Sequence, residues 1–367
     1  LSATRRRSSS RRRTILRRRL LALIALALAV AALWAVFGGG GSAGSSSRDH
    51  RPPSAASQSV SARRAALAGA LRRGVEGADR LGGVTEAAAI LPGWSEPVVA
   101  PGGREGRGRW MRMWSMSKIV TAVAMLRAKG WGEERGEPLS PEVEEALRAA
   151  ITRSENCPQR RIVIELQHSL GDSVQRARQA VADALRMAGG KAHPGVEVEP
   201  PEAACTEYLE GQEDVPEPLA PALLLGTSEW RVGDAARFML ALGENAYGAA
   251  ISRYLLGLMR EPKELSREAL PGEFTAPLDW GAGRALSRFD PAYKAGWGGT
   301  QQGAFMTGQM ALLEIPAGRA AVAVMFHPAV QPSIDDPGLT SAPAALEAVM
   351  RSLARELDAH QQPGSPR

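Results

Sequence analysis

The chain has 367 residues, 44% of them hydrophobic, which is enough to bury a sizeable core in one large domain or two ordinary ones. The formal charge of +6 is concentrated at one end: residues 1–19 hold nine Arg and no acid, and the remaining 36 basic residues face 39 acidic ones. A nucleic-acid partner would need its basic patch on the folded surface, so no nucleic-acid binding is expected.

Next to the Arg tract, Leu20 to Phe37 is an uncharged run of 18 residues. As a helix, with a rise of about 1.5 Å per residue, it is just long enough to cross a bilayer. The Arg flank keeps its N-terminus cytoplasmic and sends the rest outward. Residues 1–37 therefore read as a signal peptide cut near Ser42-Ala43-Gly44 or as an uncleaved membrane anchor. Either predicts an extracytoplasmic protein, membrane-anchored or secreted. Residues 38–59 begin GGGGSAGSSS and read as a flexible linker, and 361–367 read as a disordered tail.

The folded domain is expected over 60–360. A first helix is predicted from about Ser61 to Ala78, then two extended stretches, Glu86 to Ile90 and Glu96 to Ala100, which can form a hairpin across Pro92-Gly93. Ser115 to Lys129 has the pattern of a buried helix ending at Gly130. Pro141 opens a helix to about Arg153, and helices follow over about 158–169 and 172–188. Residues 190–222 turn to Pro, Glu and Gly, a long loop of the kind that carries function. Helical patterns resume at Val232 to Leu242 and Ala246 to Met259. Extended stretches then appear at Ala292 to Trp297, Ala304 to Ile315 and Ala320 to Phe326, before a final helix from Pro343 to Ala359. Strands at both ends with helices between predict an α+β fold: an antiparallel sheet flanked by helices, with an inserted helical lobe at about 115–260.

Three motifs carry chemistry. Ser115-Met116-Ser117-Lys118 matches S-x-x-K, and at i and i+3 on a helix the Lys118 amine can reach the Ser115 hydroxyl. A Ser hydroxyl is a weak nucleophile until a base takes its proton, and a lysine can serve when burial or a neighbouring cation lowers its pKa. Ser154-Glu155-Asn156 follows a helix, and Lys294-Ala295-Gly296 precedes a strand hairpin. The chain holds only five Lys (118, 129, 191, 263 and 294) against 40 Arg, and only two Asn, 156 and 245, so chance matches to Lys- and Asn-containing motifs are rare. Where Arg supplies nearly all the positive charge, a retained Lys hints at a need for a deprotonatable amine.

In order, these motifs resemble the S-x-x-K, S-x-N and K-x-G signature of the penicillin-recognising serine hydrolases, the class A β-lactamases and D-alanyl-D-alanine peptidases. The resemblance extends through RMWSMSKIVTAVAML, AAITRSENCPQRRIVI and KAGWGGTQQGAFMTGQMALLEIPAGRAAVAVMF. It implies a β-lactamase/transpeptidase-like fold and a serine hydrolase or acyl-transferase forming a Ser115 acyl-enzyme on a cell-wall-type peptide, ester or β-lactam. Within it Lys118 would activate Ser115, Ser154 would pass a proton to the leaving nitrogen, and Asn156 would position substrate. Lys294 would supply positive potential, with Gly296, Gly298 and Thr300 lining the substrate. The backbone N–H groups of Ser115 and Trp297 would form an oxyanion hole, whose donors commonly contribute about 2.7 to 4 kcal/mol each.

The chain departs from the family in three places. Ala295 stands where a Ser or Thr usually bonds the substrate carboxylate. Ser154 follows Ser115 by only 39 positions, which trims the helical lobe. The long loop offers Glu197, Glu199, Glu202, Glu207, Glu210, Glu213 and Glu217 with no clear deacylation motif. These departures leave an alternative, a catalytically inactive protein of the same fold that binds cell-wall fragments or a protein partner. Cys157 and Cys205, the only cysteines, are free to pair outside the membrane or to remain two buried thiols. With no Cys-x-x-Cys and scattered His, no metal is expected, and no organic cofactor is implied.

Overall fold

The structure is a computed structural model that describes residues 55–101, 108–112, 114–190, 192–193, 229–263, 281–299, 305–328 and 341–359. The apolar run 20–37, linker residues 38–54, the loop Glu residues from 197 to 217, Thr300 and the tail 361–367 lie outside them. Two units divide the chain, Leu1–Ser57 and Gln58–Arg367, and the second carries the architecture. Among the described residues no helix is long and apolar enough to cross a membrane.

Helix α1 (Ala55–Asp79) starts inside the expected linker, because residues 55–71 are rich in Ala and Arg, both strong helix formers. Strands β1 (Gly83–Ile90) and β2 (Val98–Ala100) form the expected antiparallel hairpin, with Ala88 opposite Val99. At the far end of the sequence lie β6 (Ala292–Gly299), β7 (Phe305–Ile315) and β8 (Gly318–Pro328). The five strands make one sheet in the order β2-β1-β8-β7-β6. Its central pairing is antiparallel and joins the two ends of the domain, Gly83 opposite Pro328 through Ile90 opposite Ala321. The fold is thus α+β, an antiparallel sheet flanked by helices and completed by distant segments.

The two-residue period of a strand sorts the sheet's side chains into two cores. On one face Ala88, Ile90, Met310, Leu312, Ala323 and Met325 pack with the helices that lie between residues 117 and 260. These include α2 (Ser117–Ala128), α3 (Pro141–Arg148), α4 (Asn156–His168) and α5 (Val174–Met187), then α6 (Val232–Gly243) and α7 (Ala249–Arg260). On the other face Ala87, Ala89, Ala311, Val322, Val324 and Phe326 pack with α1 and with α9 (Ser341–Ala359). A short helix, α8 (Ala282–Ala285), precedes β6.

A second sheet, β3 (Trp110–Arg112), β5 (Glu229–Arg231) and β4 (Ala192–His193), has the order β3-β5-β4. Strands of two or three residues show no alternation, which is why the sequence pattern does not predict it. Cys157 is disulfide-bonded, so it is not one of two buried thiols, and Cys205 lies outside the described residues.

The terminal helices meet at Gly74, where a Cβ would lie 2.7 Å from the Val349 Cα. One turn away the Ser352 hydroxyl donates to the Ala70 carbonyl at 2.8 Å, locking the same contact. Gly74→Ala should therefore lower unfolding stability by about 1–3 kcal/mol, against the gain that Ala normally brings to a helix. Urea denaturation checks this; an unchanged or raised midpoint contradicts the close contact.

Candidate active site

Ser115 sits in the middle of a 3₁₀ turn, Trp114–Met116, that runs directly into α2. The turn packs against β6 and β7. Gly308 of β7 allows the approach, since a Cβ there would meet the Met116 Cε at 2.7 Å. Ser115 is buried but for 7% of its surface. One turn on, Lys118 is fully buried.

A buried ammonium needs acceptors for its three N–H donors. Lys118 Nζ donates to the Ser154 carbonyl, to the Glu155 carbonyl at 2.8 Å and to Asn156 Oδ1 at 2.9 Å. All three belong to one turn. Helix α3 begins with the Ser140 side chain capping Val143 N and Pro141 in its first turn. It does not run on as an α-helix to Arg153 as the sequence predicts. Residues 149–153 widen into a π-helical turn, and Ser154 leaves it in the left-handed region at φ 63°. Such turns recur at functional sites.

Five non-Gly residues among those described have positive φ: Trp114, Ser154, Asp172, Asn245 and Asp290. Asn and Asp tolerate this conformation. Trp114 and Ser154 do not, and each costs on the order of 1–3 kcal/mol that its surroundings must offset. These two strained residues lie at the first and second motifs.

The third motif closes the site from the sheet. Lys294, 1% exposed, donates to Ser154 Oγ at 2.7 Å and to its neighbour's carbonyl, that of Ala295, at 2.8 Å. Ser154 is therefore held at its carbonyl by Lys118 and at its hydroxyl by Lys294. Burial first, then the charges of Lys118 and Lys263, push the Lys294 amine well below the usual lysine range. Ala295 belongs instead to the core on the face of α1 and α9. Gly296 and Gly298 pair with Gly308 and Met306, and Trp297 with Thr307. The Thr307 hydroxyl donates to the Gly296 carbonyl at 3.3 Å. The structure brings Lys118, Ser154, Asn156 and Lys294 into one hydrogen-bonded assembly, with the Ser115 turn packed on the strand that carries Lys294.

Two features escape the sequence pattern. Lys263, 8% exposed, donates to the Met259 carbonyl at 2.8 Å and lies 4.8 Å from the centre of the Tyr293 ring. Burial pushes its pKa down to about 7 against the opposing charge of Glu261. Flanked by acids in the run EPKEL, it reads as a solvated charge; only the scarcity of Lys marks it. The second is an ion pair under the turn, Arg153 Nε to Glu155 Oε1 at 2.9 Å, with the Glu155 side chain fully buried. Burial works against the Arg153 charge, but hydrogen bonds to Glu155 and Glu145 outweigh it and raise its pKa.

A cleft of about 300 Å³ opens on the same sheet face at the ends of β1 and β8, lined by Val84, Glu86, Arg109, Trp110, Glu229 and His327 among others. It contains no residue of the three motifs. Burial raises the Glu86 pKa, while the backbone N–H of Arg109 and its charge oppose the shift. Among the described residues no cluster of His, Cys, Asp or Glu is arranged to hold a metal.

No family model and no curated protein matches the sequence. Among solved structures the chain is similar to class A β-lactamases in fold. The TLA-1 extended-spectrum β-lactamase shares 15% identity over 78% of this chain and 99% of that one, with a TM-score of 0.49. A class A β-lactamase from Bacteroides cellulosilyticus DSM 14838 shares 14% over 78% and 99%, with a TM-score of 0.47. A β-lactamase from Sphaerobacter thermophilus DSM 20745 shares 17% over 80% and 98%, with a TM-score of 0.44.

Removing one partner of a buried ion pair strands the other charge. Glu155→Gln removes the fully buried partner of Arg153, whose pair with Glu145 is half-exposed, and should cost about 3 kcal/mol of unfolding stability. A loss below about 0.5 kcal/mol in urea titration, the value of a surface pair, contradicts this placement.

Proposed function

We propose that the chain is an exported serine hydrolase or acyl-transferase that works through a Ser115 acyl-enzyme. The observation that carries this reading is the convergence of three distant segments on Ser154, held by both motif lysines. Ser115 stands one helical turn from the first of them. A fold has no structural reason to bury two lysines against one strained serine turn, and the stability so lost is the kind that reactive sites retain.

In this reading the Ser115 hydroxyl attacks an acyl carbonyl while a lysine of the site accepts its proton. The backbone N–H groups of Ser115 and Trp297 receive the developing oxyanion. The leaving group takes its proton from Ser154. Asn156 holds Lys118 with its carbonyl oxygen, which turns its amide N–H₂ group toward substrate. The substrates that fit are cell-wall-type acyl-peptides, esters and β-lactams. Lacking a hydroxyl at Ala295, the site takes a carboxylate through Lys294 and Thr300. Residues 1–37 place it outside the cytoplasm, anchored or secreted.

Incubation of the full chain with a fluorescent penicillin and, in parallel, a fluorophosphonate should label it with both. Ser115→Ala should abolish labelling, and Ser154→Ala should slow it at least about 100-fold, the usual contribution of proton transfer. Labelling by the fluorophosphonate alone would redirect the substrate toward esters or other amides. A folded protein that takes neither probe would instead be a binding protein of this fold.

A further inference from the structure

The cleft at the ends of β1 and β8 holds charges that the fold leaves unanswered. Val84, Glu86 and His327 line one side of it, and Arg109, Arg112 and Glu229, on and beside β3 and β5, line the other. We infer that this cleft binds a free zwitterionic α-amino acid with an apolar side chain, its carboxylate on Arg112 and its ammonium on Glu229. No residue of the three motifs lines it, so the site stands independently of the acyl-serine reading.

Four of the lining residues are acids or arginines, and two of these answer each other. Glu86, only 2% exposed, accepts from the Arg109 backbone N–H at 2.7 Å, and its other oxygen lies 3.2 Å from the Arg109 Nε. The other two are Arg112 and Glu229, directly opposite each other in the β3–β5 ladder. Residues so placed have Cβ atoms about 4.5–5.5 Å apart, and opposite charges there stabilise a sheet by pairing. These two do not pair. The Arg112 guanidinium lies instead over the Trp114 ring, 5.7 Å from its centre, and no ion pair joins it to Glu229. The next charge along β5, Arg231, is already bound to Asp234 at 2.9 Å and does not compete for Glu229. Arg112 and Glu229 are both half-buried, where a charge without a partner is more costly than in open water.

This arrangement selects the ligand by charge. An anion drawn to Arg112 would be repelled by Glu229 beside it, and a cation drawn to Glu229 would be repelled by Arg112. A molecule with both charges on one carbon meets each with its opposite and leaves the balance of the cleft unchanged. Size narrows the class further. At about 300 Å³ the cleft is at the lower end of the range for small-molecule sites, about 300–1,000 Å³, which suits a single amino acid better than a peptide. Its rim also offers apolar contact. Val84, opposite His327 in the sheet, is 41% exposed, and the indole of Trp110 lies nearby in the same lining. Covering such a surface with an aliphatic side chain is favourable.

Calorimetric titration with D- and L-leucine tests the site on the full chain. At least one enantiomer should bind with a Kd below about 10 mM, and just as tightly to Ser115→Ala. N-acetyl-leucine, which lacks the ammonium, and leucine amide, which lacks the carboxylate, should each bind the native protein at least about tenfold more weakly, the worth of one charge-assisted hydrogen bond. Arg112→Gln and Glu229→Gln should each weaken leucine by a similar factor, with circular dichroism confirming the fold. Failure of both enantiomers to bind overturns the proposal. So does a derivative that binds as well as leucine, because one of the two charges is then not recognised. Loss of binding in Ser115→Ala would place the ligand at the motifs and overturn it too.

Discussion

Burying a lysine is costly unless its N–H groups find acceptors, and the turn at residues 154–156 gives Lys118 three oxygens at once. The geometry of the site follows from this requirement. To aim two successive carbonyls and one side-chain amide at a single nitrogen, the chain cannot continue as an α-helix. It widens after α3, turns through a left-handed Ser154 and restarts as α4 at Asn156. The same turn presents the Ser154 hydroxyl to Lys294. One buried cation thus fixes the backbone that a second buried amine then uses.

The sheet supplies the rigidity. Lys294 lies on β6, which is held through β7 and β8 to β1, so the edge strand of the site is anchored to the centre of a sheet built from both ends of the domain. The terminal helices cover one face, which leaves the other for the helices that carry Ser115, Lys118 and Asn156. Strain is concentrated at this junction, in Trp114 and Ser154, and the packed cores on both sides are what hold it there.

Much of this is legible in the sequence, for identifiable reasons. The long strands and helices announce themselves by period, and the rarity of Lys and Asn makes the three motifs stand out against an Arg-rich background. The parts that escape are those whose signal is not periodic. The three-residue strands β3 and β5 are too short to alternate. The π-helical turn at 149–153 leaves no mark in AAITR, which reads as the end of an ordinary helix. Lys263 lies between acids and looks solvated, although it sits under the Tyr293 ring. Ala295 reads as a lost hydroxyl in the site, whereas the pleat of β6 turns that position toward the core shared with α1 and α9. The Arg153–Glu155 pair is two residues apart in sequence, a spacing that suggests no contact on a helix, and only the left-handed Ser154 between them brings the side chains together.

The central claim is that Ser115, and no other hydroxyl, carries the acyl group. Trypsin releases residues 113–118 as the peptide MWSMSK, which contains both Ser115 and Ser117; the Ser117 hydroxyl is buried without a hydrogen-bond partner. Tandem mass spectrometry of this peptide after acylation by a β-lactam or an activated ester separates the two sites. The account predicts the adduct mass on fragments that include Ser115 and its absence from those holding Ser117 alone. An adduct on Ser117, or on a peptide outside the three motifs, would contradict it.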